Sequence, residues 1–203
     1  RNAVQYALLA LLYQLAQSGA SGGLVDLLIL RDETGAYNGY SGDVSSIIAA
    51  LGFIGGALAV WSTAKLLITK NKEDMHLSHL KKEGKAKYAL LVAVTIGAVI
   101  GFNLLFELLG VTNKSEAYTE VAAQQYSAHF IVGILVFGFI SPIAEELLFR
   151  GVIYGYLRRF MDIKLAIALS ALIFGVYHMN YVQGVYGFLI GCLMAYAYEY
   201  FGE

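Results

Sequence analysis

The sequence predicts an all-α membrane protein, a polytopic bundle of about six transmembrane helices. The chain has 203 residues, of which 58% are hydrophobic and 14% are charged, and it contains one proline. A soluble domain of this size could not bury so much apolar surface. The apolar residues fall into runs of about 18–25, which are long enough to cross a hydrocarbon core about 30 Å thick. No basic surface with interleaved aromatic residues indicates a nucleic-acid partner.

The first spans are predicted from apolar runs that are separated by glycine or by polar residues. Residues 3–17 are apolar, and after a glycine- and serine-rich stretch the apolar run resumes at residues 24–30. This segment is therefore either one glycine-interrupted span or a span followed by an interfacial piece. Residues 31–43 are polar and predict a loop. Residues 44–69 predict the next span, whose glycines allow close contact with another helix.

Residues 70–87 are the most charged part of the chain. Short basic loops stay in the cytoplasm, so this stretch predicts the orientation of the protein in the membrane. His76 and His79 lie in the same stretch and raise the question of a metal site. We favour a solvated surface, because two histidines fall short of the three or four ligands that zinc needs.

The middle of the chain predicts a further crossing and a return. Residues 88–109 predict a span that carries Asn103 and Glu107 on one face, near an end where polar side chains commonly reach the interface. Residues 111–125 are polar and predict an outer loop.

The C-terminal part predicts one overlong helix and two further spans. Residues 126–160 would extend about 52 Å as a continuous helix, which exceeds one membrane thickness. Pro142 removes a backbone donor and predicts a kink within this run. Residues 162–181 and 183–200 predict the last two spans, and the first of these follows a short basic turn at residues 158–164.

The strongest functional signal is the group of ionisable side chains within residues 141–150. Each such group near the bilayer centre costs about 2.5–3.5 kcal/mol on insertion scales, so these groups usually mark function. Glu146 and Arg150 are four residues apart on one helical face and predict an ion pair. Glu145 is turned about 100° away from Glu146 and needs a different partner.

His178 is the predicted partner of Glu145. If residues 142–160 and 162–181 form an antiparallel hairpin, both side chains lie about 14 residues, or about 21 Å, from the basic turn. Phe174 lies one turn from His178 on the same face. The alternative is that His178 is a buried structural histidine, and that a carboxylate only satisfies its hydrogen bonding. We favour catalysis, because a carboxylate and an imidazole together can take a proton from water and return it to a leaving amine.

Two short motifs carry a family resemblance. Residues 145–150 read Glu-Glu-x-x-x-Arg, and residues 174–178 read Phe-x-x-x-His. In both motifs the chain resembles the CPBP family, which comprises the CAAX proteases and the bacteriocin-processing (abortive-infection) intramembrane proteases. The resemblance extends over about residues 126–203. We therefore predict a catalytic core at residues 126–203 and N-terminal membrane helices and loops at residues 1–125.

The resemblance implies an intramembrane endopeptidase. It implies that Glu145 activates the attacking water with His178, and that Glu146 and Arg150 form a supporting structural pair. Phe174 belongs to the same supporting set. The family's third element, a histidine followed four residues later by asparagine, does not occur in the sequence. We expect this element beyond Glu203, in a chain truncated at both ends.

No cofactor is expected for this chemistry. Glu145 and His178 could supply at most two zinc ligands, whereas a catalytic zinc has three protein ligands and a water. We favour glutamate-dependent hydrolysis and keep zinc, with these two ligands, as the minority option. The expected partners are the lipid bilayer and a peptide or protein substrate in or near it, in a bacterial cell membrane. Leader peptides, peptide pheromones or bacteriocin precursors fit this setting better than isoprenylated substrates.

Two other functions stay open. The first is a non-proteolytic membrane protein of the same fold that acts in bacteriocin immunity or regulates a membrane partner. The second is a transporter in which Glu145 and His178 relay protons. The transporter is the weaker alternative, because the sequence shows neither inverted repeats nor paired broken helices.

Overall fold

The computed structural model describes residues 2–31, 42–74 and 84–201, and these residues form an all-α fold, as predicted. No β-strand occurs within the described ranges. In chain order the helices are α1 (Asn2–Arg31), α2 (Gly42–Asp74), α3 (Lys85–Leu108), α4 (Glu116–Tyr126), α5 (Phe130–Arg158), α6 (Ile163–Tyr177) and α7 (Tyr181–Phe201).

Three of the described helices, α2, α3 and α5, are long and apolar enough to cross a membrane by length and composition. Helix α6 is apolar but shorter. Many large apolar side chains on these helices are exposed, as expected where a helix faces lipid instead of a protein core. These features support an integral membrane protein, and the predicted number of about six spans stays a prediction.

Helix α1 covers the N-terminal segment for which the sequence left two alternatives open. It runs without interruption through the glycine- and serine-rich stretch at residues 18–23. A helix satisfies all its backbone hydrogen bonds within itself, which lipid requires because it offers none. The segment is therefore one continuous helix, and the glycines do not divide it.

Two loop boundaries predicted from the sequence are wrong. Helix α2 continues past Thr69 to Asp74, and residues 111–125 contain a 3₁₀ turn (Thr112–Lys114) and most of α4 instead of a loop. The side chain of Ser115 explains the second error, because its Oγ accepts the backbone N–H of Tyr118 at 3.2 Å and so caps α4. His76, His79 and most of the loop predicted at residues 31–43 lie outside the described residues.

Helix α5 is continuous through Pro142. Pro142 lies in an α-helical segment, Ser141–Glu146, which two π-helical stretches flank, Ile134–Ile140 and Leu147–Tyr154. The kink predicted at Pro142 stays a prediction. The backbone N–H of Ser141 donates to the carbonyl of Val136, five residues back, as in a π-helix. Because π turns hold more residues than α turns, the count of 1.5 Å per residue overestimates the length of this helix.

The described helices pack into two compact units, and α5 contributes residues to both. The first unit comprises residues 1–67 and 121–148, and the second comprises residues 68–120 and 149–203. The division predicted from the motifs, at residue 126, stays a prediction.

In the first unit, α1 and α2 pack through small residues, as the glycines of α2 predicted. A Cβ atom at Gly56 would lie 3.0 Å from the carbonyl oxygen of Tyr13 and 3.2 Å from Cβ of Gln17. Tyr13 and Ala64 are fully buried in the same unit. Asp43, in the first turn of α2, accepts the backbone N–H of His129 at 2.6 Å and also bonds its imidazole.

We expect Gly56→Leu to destabilise the protein by about 1–3 kcal/mol, the usual cost of overpacking. The new side chain would force α1 away from α2 at Tyr13. The temperature of thermal unfolding in detergent measures the effect. Gly97→Leu is the matched control, because a Cβ at Gly97 meets no heavy atom within 4 Å. Equal unfolding temperatures for the two variants would contradict the close packing of α1 on α2.

In the second unit, α6 and α7 form an antiparallel hairpin. A Cβ at Gly175 would lie 2.5 Å from the carbonyl oxygen of Gly184, and one at Gly191 would lie 3.1 Å from Cα of Ala171. The C-terminal part of α5 packs on this hairpin, where Tyr154 is buried together with residues of α6 and α7. Asp162 caps α6 by accepting the backbone N–H groups of residues 164 and 165.

Candidate active site

Glu145 lies in α5 between the two π-helical stretches and is half-buried. Its Oε1 accepts a hydrogen bond from Oγ of Ser141, one turn earlier, at 2.9 Å. Ser141 is itself 8% exposed, so it holds this carboxylate oxygen from the buried side of the helix. The carboxylate of Glu145 thus has a defined orientation within its own helix.

His178 directly follows the last residue of α6, as its C-cap, and it is half-buried. Its Nδ1 lies 2.9 Å from the carbonyl oxygen of Phe174. A carbonyl oxygen only accepts hydrogen bonds, so Nδ1 must carry the hydrogen in this contact. In the neutral ring, Nε2 is then the nitrogen that can accept a proton, as a histidine that assists hydrolysis requires.

Two rings and a glycine lie against the imidazole of His178, and a third ring packs behind them. Phe174 and Tyr177 present their rings edge-on to it, with centroid distances of 4.9 Å and 5.8 Å. On α7, a Cβ at Gly187 would lie 3.4 Å from Nδ1 of His178. Phe149 of α5 packs against both aromatic residues, at 4.8 Å from Phe174 and 5.2 Å from Tyr177. The imidazole therefore has little freedom to rotate.

The turn after His178 is fixed by Asn180, which sequence analysis missed. Oδ1 of Asn180 accepts the backbone N–H of Gln183 at 2.9 Å, and Nδ2 donates to the carbonyl of His178 at 3.1 Å. Met179, between them, has the left-handed φ of 57° that few non-glycine residues adopt. Asn180 and Gln183 have the spacing of a helix-capping box, and this sequence signal could have revealed the turn.

Arg150 joins the two motifs inside the second unit. It is 2% exposed, and its guanidinium lies 4.7 Å from the centre of the Phe174 ring. Its Nη2 lies 3.5 Å from the carbonyl oxygen of Gly191 on α7. A guanidinium stacked on an aromatic face in a buried site is a favourable arrangement.

The structure thus brings together some of the predicted site residues. Arg150, Phe174 and His178 lie in the second unit, whereas Glu145 and Glu146 lie in the first. The predicted pairs Glu145 with His178 and Glu146 with Arg150 each join residues of both units, and they stay predictions.

The described residues contain no group of three or more His, Cys, Asp or Glu side chains that could hold a metal ion. A catalytic zinc needs three such protein ligands. That the protein requires no cofactor stays a prediction.

A comparison with known families confirms the resemblance that the two motifs indicate. Residues 127–203 match the family described as type II CAAX prenyl endopeptidase Rce1-like. No curated protein and no solved structure is significantly similar to the chain. The match and the apolar helices together indicate an integral membrane protein, and the matched residues cover less than half of the chain.

Proposed function

We propose that the protein is a glutamate-dependent intramembrane endopeptidase, and the match of residues 127–203 to the family described as type II CAAX prenyl endopeptidase Rce1-like supports this proposal. It hydrolyses a peptide bond of a peptide or protein that lies in or near the membrane. Glu145 and His178 activate the attacking water.

The contact between the two motifs in the second unit carries this proposal. Phe149 lies four residues after Glu145, and Phe174 lies four residues before His178. The rings of the two phenylalanines are in contact at 4.8 Å, with α5 and α6 antiparallel. This ring contact supports the proposed pairing of Glu145 with His178.

The proposed reaction moves one proton through Glu145. The carboxylate takes a proton from water as the water oxygen attacks the scissile carbonyl carbon. The proton then passes to the amide nitrogen as the C–N bond breaks, which releases an amine and a carboxylic acid; the acid then gives its proton to the amine, so that the final products are a carboxylate and an ammonium group. Nε2 of His178 accepts a hydrogen bond from the water, and Ser141 holds Oε1 of Glu145 in place during the transfer.

We propose peptide precursors as substrates, namely leader peptides, peptide pheromones or bacteriocin precursors, in a bacterial cell membrane. The apolar helices with exposed side chains support a location in lipid, where a precursor peptide held at the bilayer would be within reach of the site. Isoprenylated substrates are the alternative that the family description raises, and both classes belong in the same assay.

The test uses the protein reconstituted in liposomes with a panel of membrane-associated precursor peptides and prenylated peptides. We expect the wild-type protein to cleave at least one peptide, and products formed in isotope-labelled water to carry one labelled oxygen at the new carboxylate. Mass spectrometry detects both. We expect Glu145→Gln to abolish cleavage, because an amide cannot take up the proton of the water.

Glu107→Gln is the matched control, since it makes the same substitution at an exposed position on α3. Activity that persists in Glu145→Gln would overturn the proposal. Loss of activity with a chelator such as 1,10-phenanthroline would instead favour the zinc option. If no peptide is cleaved while bacteriocin immunity survives the Glu145→Gln substitution, the protein acts without proteolysis.

A further inference from the structure

Asn71 lies near the end of α2, in a stretch that sequence analysis assigned to a charged loop. Its side chain is fully buried, with 0% exposure. Its Nδ2 donates to the carbonyl of Gly151 at 3.2 Å and lies 3.5 Å from the carbonyl oxygen of Val152. The amide of one helix therefore bonds the backbone of another, α5, within the second unit.

The two acceptors lie toward the end of the π-helical stretch Leu147–Tyr154. Each carbonyl in a π-helix bonds the N–H five residues later, whereas an α-helix uses the N–H four residues later. Where the π pattern changes to the α pattern, one carbonyl receives no backbone N–H. This carbonyl needs another donor, because buried backbone groups are nearly always paired. The amide of Asn71 supplies a donor in this part of α5, at the carbonyl of Gly151 and within 3.5 Å of that of Val152.

Gly155 permits the close approach of Asn71. A Cβ at Gly155 would lie 2.6 Å from Nδ2 of Asn71, 2.9 Å from its Cβ and 3.0 Å from its Cγ. These distances are too short for a methyl group unless Asn71 or the backbone of α5 shifts. Asn71 and Gly155 therefore fit each other as a pair.

The π-helical stretch that Asn71 supports carries Phe149 and Arg150. Both residues contact the ring of Phe174, at 4.8 Å between ring centres and at 4.7 Å from the guanidinium. The side chains of successive residues point about 100° apart around an α-helix. The angle is smaller in a π-helix, which holds more residues per turn, and this helps Phe149 and Arg150 to face the same ring. The carbonyl of Phe174 in turn holds Nδ1 of His178.

We infer that Asn71 is a positioning residue for His178. It holds the π-helical stretch of α5 in register, so that Phe149 and Arg150 seat Phe174 and Phe174 orients the imidazole. The inference rests on the proposed function, because the orientation of His178 affects a rate only if His178 takes part in catalysis. Asn71 acts through α5 and not on the substrate.

The first measurement compares the kinetics of Asn71→Ala with those of the wild type. We expect kcat to fall about 10–100-fold, the effect of a small misplacement of a catalytic group. We expect KM to change by less than about twofold, because Asn71 does not contribute to substrate binding. Asn103→Ala is the matched control, since Nδ2 of Asn103 bonds the carbonyl of Val99 in its own helix. This control is expected to keep the wild-type kcat.

The second measurement is a double-mutant cycle on the unfolding temperature in detergent. Asn71→Ala and Gly155→Ala are each expected to lower it, the first by loss of the hydrogen bonds and the second by steric conflict. In the double variant the close contacts of the new methyl group with Nδ2 and Cγ of Asn71, at 2.6 Å and 3.0 Å, are removed, and only the contact with Cβ of residue 71, at 2.9 Å, is left. We therefore expect the double variant to be more stable than the sum of the two single effects predicts.

Additive effects in this cycle would overturn the contact, and an unchanged kcat in a folded Asn71→Ala protein would overturn the positioning role. If Asn71→Ala does not fold, Asn71→Ser, which keeps a shorter donor, is expected to show an intermediate loss of kcat. A full wild-type kcat in Asn71→Ser would count against the inference. A wild-type protein without any cleavage activity would overturn the proposed function, while the cycle would still decide whether Asn71 and Gly155 are coupled.

Discussion

Replacing His178 by alanine is expected to lower kcat for peptide cleavage by about 10²–10⁴-fold, the usual contribution of a general acid–base group. The fold is expected to survive, because the hydrogen bond of the His178 side chain stays within its own helical turn. The backbone N–H of His178 bonds the carbonyl of Gly175 whatever side chain follows. Initial-rate kinetics on a cleaved peptide and the unfolding temperature measure the two effects separately.

His129→Ala is the matched control for this experiment. The side chain of His129 is 87% exposed and is paired with Asp43 in the first unit. We expect this variant to keep the wild-type kcat. A His178→Ala protein that is as active as His129→Ala would remove His178 from the mechanism, and Glu145 would then need a different partner.

Arg150→Ala is expected to be the most destabilising substitution within the first motif, at about 2–5 kcal/mol, the range for truncation of a large buried side chain. The truncation removes the stacking on Phe174 and the contact with the carbonyl of Gly191, and it leaves a cavity among buried aromatic residues. Chemical or thermal unfolding in detergent provides the measurement. Arg150→Lys is expected to recover little of this loss, because an ammonium group cannot stack as a planar guanidinium does.

Arg159→Ala is the matched control for Arg150→Ala. Arg159 pairs with Asp74 at 2.7 Å; the side chain of Arg159 is 15% exposed and that of Asp74 is 40% exposed, so water still screens this pair, and ion pairs at the surface contribute about 1 kcal/mol. We therefore expect a small effect. If Arg159→Ala destabilised the protein as much as Arg150→Ala, the buried stacking of Arg150 would not explain the stability of the motif.

Hydropathy predicted the apolar helices well, because lipid forces each crossing to be a continuous helix with satisfied backbone groups. The error at α4 has a local cause. Residues 111–125 are polar, but Ser115 caps a helix that composition alone did not indicate. The capping box at Asn180 was likewise present in the sequence and could have been read.

Other features depend on contacts between distant residues and could not be predicted. Asn71 lies in a run of lysines, and its burial comes from a partner 80 residues later in the chain, the carbonyl of Gly151. The π-helical stretches of α5 are a second case, because their hydrogen bonding depends on the packing around them and no residue pattern specifies it. The roles of Glu145 and His178 were predicted from the free-energy cost of ionisable groups in a bilayer, from the equal distance of both residues from the basic turn, and from the family resemblance. These roles stay predictions.

The π-helical stretch Leu147–Tyr154 also bears on how the chain can change in evolution. A π turn is equivalent to an α-helix that has gained one residue, so the loss of one residue would regularise the hydrogen bonding of α5. The effect of this loss would fall on the stretch itself, because a π turn absorbs its extra residue locally. Phe149 and Arg150, which the stretch carries, would then point in other directions and lose their contacts with Phe174. We therefore expect natural variation in this stretch to be confined to substitutions.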